Sequence, residues 1–167
     1  SLVLVKLYQL TDGANWITKW QLNQPMTNWY GVVLNTSGCV VQINLSNNNL
    51  KGFLPPEIGN LTALTRLFLF TNNISGPLPG SLVNLTELLE LNLEGNFLSG
   101  SIPSGIGNLR KLSMITLADN ALTGEIPDGI FDIENLILLD LSRNQLTGSL
   151  SSRVNKLIKL QSLDVSE

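Results

Sequence analysis

Histidine is absent from this chain of 167 residues, and cysteine occurs once, as Cys39. Without histidine, Ser-His-Asp and Cys-His arrangements are excluded. The two scarcities together leave carboxylates as the only strong side-chain metal ligands, with no transition-metal spacing among them. A lone cysteine forms no internal disulfide, so the redox compartment is not readable from it. A small, partly buried side chain is expected there. Charge is also scarce. Charged residues make up 14%, and the net charge is −3. That composition lacks the basic face which nucleic acid requires. No apolar run approaches the length of a membrane span. No signal segment is visible at Ser1, though a mature or trimmed chain would lack one.

What the chain has in abundance is repetition. A unit of 24 residues starts at Val40 and recurs at Leu64, Leu88, Leu112 and Leu136, with a partial sixth copy from Leu160. Each copy follows LxxLxLxxNxLxGxIPxxIxxLxx. Its ninth position is Asn48, Asn72, Asn96, Asn120 and Asn144, and its thirteenth is Gly52, Gly76, Gly100, Gly124 and Gly148. The sixteenth is Pro55, Pro79, Pro103 and Pro127, and Ser151 then breaks the series. The spacing divides the chain into a non-repeating segment, 1–39, and a repeat array, 40–167.

The repeat has a physical reading position by position. LxxLxL ends in an apolar–polar alternation, which suits a short strand with one buried face. Apolar residues at positions 11, 15, 19 and 22 bring the inward set to seven per copy. Asn at position 9 sits where the strand turns. Its amide both donates and accepts, so stacked copies satisfy backbone groups that the bend leaves unpaired. Gly at 13 opens backbone conformations closed to other residues. Pro at 16 fixes φ and removes an N–H, which argues against a long helix there. One coil cannot close its own core, but stacked coils share one.

These motifs resemble the leucine-rich repeat. Asn96–Leu109, NFLSGSIPSGIGNL, is similar to the plant-type subclass found in plant receptor kinases, in polygalacturonase inhibitors and in secreted bacterial and algal proteins. The resemblance implies a leucine-rich repeat solenoid of the α/β class: a curved right-handed superhelix with a parallel sheet on its concave face. Short strands and 3-10 turns would lie on its convex side.

Ser1–Leu10 reads as a helix that is apolar on more than one face, with Gly13 as its stop signal. Trp16, Trp20 and Trp29, all the tryptophans, follow within this non-repeating stretch. They suit a cap over the open end of the first coil. The alternative is an exposed aromatic binding site. TDGANW and NWYGV resemble the N-terminal cap of secreted bacterial and protist repeat proteins. They also resemble the plant cap CxWxGVxC, but Thr27 and Leu34 occupy the places of its cysteines, so its disulfide cannot form. At the other end the strand around Leu163 stops before its expected Asn. Further repeats or a partner are expected to cover that edge.

Positions 2, 3, 5, 7 and 8 of each copy are expected to face out from the concave sheet and to carry recognition. The candidate binding residues there are Arg66, Phe68, Phe70, Glu90, Asn92, Glu94, Thr116, Asp119, Asp140 and Arg143. Aromatics and Arg most often anchor interfaces. Six acids (Glu90, Glu94, Asp119, Asp140, Asp164, Glu167) stand against two bases (Arg66, Arg143) in these columns. That balance favours a basic partner. The acids lie at variable repeat positions and form no catalytic motif, so no enzyme, cofactor or metal centre is expected. Five Asn-x-Ser/Thr sequons occur, at Asn35, Asn44, Asn60, Asn73 and Asn84. Asn60 and Asn84 suit a glycan in a eukaryotic secretory pathway.

The expected function is an extracellular or cell-surface recognition module for a protein, peptide or glycan, without nucleic acid or membrane insertion. The alternatives are a spacer segment of a larger adhesin or filament, a receptor ectodomain, and an inhibitor of a secreted hydrolase.

Overall fold

The computed structural model describes residues Ser1–Glu167. One helix, α1 (Leu2–Leu10), precedes twelve short strands. In chain order these are β1 (Val32–Leu34), β2 (Val40–Asn44), β3 (Lys51–Phe53), β4 (Arg66–Phe68), β5 (Asn73–Pro77), β6 (Glu90–Asn92), β7 (Phe97–Ser101), β8 (Met114–Thr116), β9 (Ala121–Glu125), β10 (Leu138–Asp140), β11 (Gln145–Thr147) and β12 (Ser162–Asp164). The larger sheet has seven strands in the order β1-β2-β4-β6-β8-β10-β12, and the smaller has five, β11-β9-β7-β5-β3. Each of the five full coils therefore gives one strand to each sheet and returns through a 3-10 segment such as Gly80–Asn84. The larger sheet lies on the side that the resemblance makes concave.

The seven inward positions close one core. In the second coil Leu64, Leu67, Leu69, Ile74, Leu78, Leu82 and Leu85 are all buried. The same cluster continues without a break from Leu4 to Leu157. Each fully buried Leu or Ile contributes about 1.5–3 kcal/mol, and no single coil could shelter its own set.

The asparagines of position 9 form a ladder. Asn72 Oδ1 accepts from the backbone N–H of Asn48 and Leu50, at 3.0 Å each, while its Nδ2 donates to the carbonyls of Leu45 and Leu69 at 3.0 and 2.9 Å. Asn96, Asn120 and Asn144 repeat the pattern, accepting from Ile74, Leu98 and Leu122. Asn48 ends the ladder on the N-terminal segment instead, accepting from Thr18 N at 2.7 Å and donating to Thr18 O at 3.1 Å. No buried side-chain nitrogen or oxygen lacks a partner.

Position 8 adopts the left-handed region in every coil, with φ of 54° at Asn47, 54° at Thr71, 66° at Gly95, 53° at Asp119 and 51° at Arg143. Only one of the five is glycine, and the β-branched Thr71 is the most strained of them. Ser151, which breaks the proline column, keeps the extended backbone of its predecessors (φ −64°, ψ 141°), and its hydroxyl caps Arg153 N.

The tryptophans are buried, which overturns the exposed-aromatic alternative. Tyr8, Trp16, Trp20 and Trp29 pack in series with ring centroids 4.8–4.9 Å apart, the first two contacts edge-to-face and the Trp20–Trp29 contact stacked. Each indole N–H reaches a carbonyl: Trp16 that of Thr11, Trp20 that of Tyr30, and Trp29 those of Gln21 and Gln24. The helix ends earlier than its glycine. Thr11 is the C-cap and Asp12 takes the left-handed turn at φ 58°. Gly13 is required for space instead, because a Cβ there would run into the Tyr8 ring. Strand β1 pairs antiparallel with β2 through the turn at Asn35–Cys39, and so covers the N-terminal edge of the larger sheet. Cys39 lies on this turn and is exposed, not partly buried, because the whole turn, Asn35–Cys39, faces solvent.

Candidate functional site

The outward face of the seven-stranded sheet follows from strand alternation. Inward leucines leave positions 3, 5, 7 and 8 on the other face, and parallel pairing brings equal positions into register. One row reads Asn44, Phe68, Asn92, Thr116, Asp140 and Asp164. The row beside it reads Gln42, Arg66, Glu90, Met114, Leu138 and Ser162. Phe68 and Phe70 are half-buried side by side near the N-terminal end of the face. Glu90 and Asn92 stand on the next strand and Glu94 just beyond its end, all three half-buried. Thr116 is a correction: it is 5% exposed. Its short side chain is flanked in register by Asn92 and Asp140, and it presents almost nothing to a ligand.

The two bases of this face are engaged. Arg66 Nε lies 3.4 Å from Glu90 Oε1, and Arg143 donates to Asp119 Oδ2 at 2.6 Å. Both pairs join residues 24 apart, so they were readable from the repeat register. Glu94, Asp140, Asp164 and Glu167 form no salt bridge. Asp140 Oδ1 accepts from Ser142 N and Oγ at 3.0 and 2.6 Å, and Asp164 Oδ1 accepts from Ser166 N and Oγ at 2.9 and 2.7 Å. The Ser166 backbone N–H and then its hydroxyl hold the Asp164 carboxyl below the usual range, with the charge of Arg143 adding to this. In each case one carboxylate oxygen is spent on the serine and the other points away from it.

A second set of charges runs along the return side of the coils. Lys111 pairs with Glu87 at 2.6 Å, and Asp132 receives both Arg153 and Lys156. The hydrogen bonds from Arg153 and then Lys156 lower the Asp132 pKa. Glu57 is lowered likewise by its bond from Lys6. The Lys111, Arg153 and Lys156 contacts tie one coil to the next, and Lys6 ties the helix to the first coil.

The sequons differ in placement. Asn60 and Asn84 are exposed at the ends of equivalent 3-10 segments. Asn44 lies within the larger sheet with its Oδ1 accepting from Ser46. Asn73 begins β5 and donates to Asn49. Asn35 is exposed, but its Oδ1 holds the turn by accepting from Ser37 and Cys39. No cluster of three metal-ligating side chains is present, and no helix is long and apolar enough to cross a membrane.

The smaller sheet presents a different surface. Its strands carry only two charges, Lys51 and Glu125. Ser75, Ser99, Ser101, Thr123 and Thr147 stand at outward positions, with Phe53 and Phe97 56% and 61% exposed.

A family model described as Leucine Rich Repeat matches residues 39–61, 87–109 and 135–157, which are alternate coils. The crystal structure of PEPR1–AtPEP1 superposes with a TM-score of 0.90 and 33% identity, covering 99% of this chain and 24% of that one. The fold is a leucine-rich repeat solenoid. A probable leucine-rich repeat receptor-like protein kinase of Arabidopsis thaliana is 38% identical over a match covering 40% of this chain and 8% of that protein. A plant ice-binding protein superposes with a TM-score of 0.84 and 25% identity, covering 96% of this chain and 56% of that one. The chain thus spans under a tenth of the curated kinase and about a quarter of the PEPR1 chain. Its repeats are those of the plant type.

Proposed function

We propose that this chain is a non-catalytic recognition module that binds a protein or peptide on the outward face of its seven-stranded sheet. The reading rests on one observation above all: Phe68 and Phe70 stand together, half-exposed, at positions with no core duty, on a face that no other part of the chain covers. Aromatic anchors in such a setting are the common carriers of interface energy. In this reading residues 1–39 cap the first coil. The module works outside the cell or at its surface, as the likeness to receptor-like kinases suggests. Asn60 and Asn84 are its glycan sites, set away from the binding face. Replacing Phe68 and Phe70 by Ala and measuring affinity for a captured partner tests the reading. A loss of about tenfold or more supports it, and unchanged affinity removes the hot spot.

One observation favours a second reading. The smaller sheet is nearly uncharged and lined by hydroxyls, and a protein of similar fold binds ice. Ice-recrystallisation assays with wild type and with Ser99→Lys/Thr123→Lys test it. Activity lost in the lysine variant supports it, and inactive wild type ends it.

A further inference from the structure

The seven-stranded face is not uniform along the solenoid, and its polarity specifies what fits it. This inference rests on the concave-face reading above. Phe68 and Phe70 lie at the second coil, while Asp140 and Asp164 lie in the fifth and sixth. Phe68, Asp140 and Asp164 share one register row. Between them Thr116 and Ala118 are short and buried. Of the two basic residues on this face, Arg66 lies against Glu90 and Arg143 donates to Asp119; the charge of Arg143 also reaches Asp164, but neither Asp140 nor Asp164 forms a salt bridge. Asp140 and Asp164 are held by Ser142 and Ser166 through Oδ1 only, so on adjacent strands each leaves its Oδ2 free of protein partners on the accessible face.

We infer that this face takes an extended, basic peptide lying across the strands, with an apolar side chain on Phe68 and Phe70 and a Lys or Arg on Asp140 and Asp164. Charge complementarity selects the basic residue, and the sheet spacing sets its position. Three to four strand steps of about 4.8 Å separate Phe68 from the two carboxylates, or about 14–19 Å. An extended chain rises about 3.3 Å per residue, so the apolar and basic residues stand four to six positions apart. A carboxylate pair meets a guanidinium or ammonium with charge-assisted hydrogen bonds, and the pair repels an acidic peptide.

Panning a phage-displayed library of random dodecapeptides on the immobilised full chain tests this, followed by fluorescence polarisation of the enriched peptides. The expected peptides carry an aromatic or aliphatic residue and a Lys or Arg at that spacing, and they bind more weakly as salt rises. Asp140→Asn/Asp164→Asn lowers their affinity about tenfold, as does a two-glycine insertion between the two peptide residues. Peptides that lose binding to Phe68→Ala/Phe70→Ala but carry no basic residue, or ignore the Asn variants, overturn the inference and leave the concave-face reading standing. Peptides indifferent to both variants, or no enrichment at all, overturn both. Unchanged circular dichroism and melting of each variant separates lost contacts from lost folding.

Discussion

Replacing Asn72 by Ala removes the rung of the ladder that satisfies the most backbone. The Asn48 and Leu50 N–H groups both lose their acceptor, and the Leu45 carbonyl loses its side-chain donor. The Leu69 carbonyl keeps a donor from Asn96 Nδ2 at 3.0 Å. An unsatisfied buried polar group costs about 1–3 kcal/mol, so two orphaned N–H groups cost about 2–6 kcal/mol. Against a total stability of about 5–15 kcal/mol, that is a large fraction. Asn144→Ala is the internal comparison. It orphans one N–H, that of Leu122, and takes the side-chain donor from the Leu141 carbonyl; Asn144 itself is half-exposed, so water replaces part of what is lost. Asn72→Asp separates the two halves of the amide, since it keeps the acceptor for both N–H groups and loses the donor. Urea unfolding followed by tryptophan fluorescence and by far-ultraviolet circular dichroism reads all three. The first probe reports the N-terminal segment and the second the coils, so their coincidence checks cooperativity. The predicted order of loss is Asn72→Ala, then Asn72→Asp, then Asn144→Ala. An Asn72→Ala protein destabilised by less than about 1 kcal/mol, or no more than Asn144→Ala, refutes the reasoning.

Thr71→Gly is predicted to stabilise by up to about 1 kcal/mol. Relief of left-handed strain in a β-branched residue outweighs the backbone entropy of glycine, and a lowered urea midpoint contradicts it. Gly107→Ala is predicted to cost about 1–3 kcal/mol, because its Cβ would meet the Gly129 carbonyl of the next coil. Gly80→Ala, with open space at its Cβ, should stay within about 0.5 kcal/mol; equal effects in a thermal melt would sink the packing argument. Arg153 and Lys156 hold the Asp132 carboxyl below its ordinary value of 3.8. That stabilisation is present above the unfolded value and is lost as pH falls through the lower folded one. Asp132→Asn should therefore narrow the stability difference between about pH 6 and about pH 2, more so at low salt. An unaltered acid limb contradicts the pairing.

Most of the fold was legible because one period dictates it. The inward leucines, the asparagine ladder and the proline arc each recur every 24 residues, and a position that recurs has one structural duty. The left-handed position 8 was not legible, because Asn47, Thr71, Gly95, Asp119 and Arg143 share no chemistry. Coil stacking imposes that conformation from outside the residue. Strand β1 was missed although VVL, a turn at NTSG and VVQIN carry the signature of a hairpin. The outward face was legible as a set of columns but not as a surface. Register names neighbours, and with them the pairs Arg66–Glu90 and Arg143–Asp119, but it does not give exposure, and Thr116 is buried. That Ser142 and Ser166 hold Oδ1 of Asp140 and Asp164 and leave Oδ2 free of protein partners is a matter of side-chain geometry, which the sequence does not carry.

The claim that recognition lives on the seven-stranded face is tested most directly by titrating one enriched peptide against three proteins by isothermal calorimetry. These are wild type, Phe68→Ala/Phe70→Ala, and Phe53→Ala/Phe97→Ala, which removes the exposed aromatics of the other sheet. The account predicts affinity lowered about tenfold or more in the first variant and unchanged in the second. The reverse pattern, with binding lost only when Phe53 and Phe97 are removed, would place recognition on the smaller sheet and contradict it.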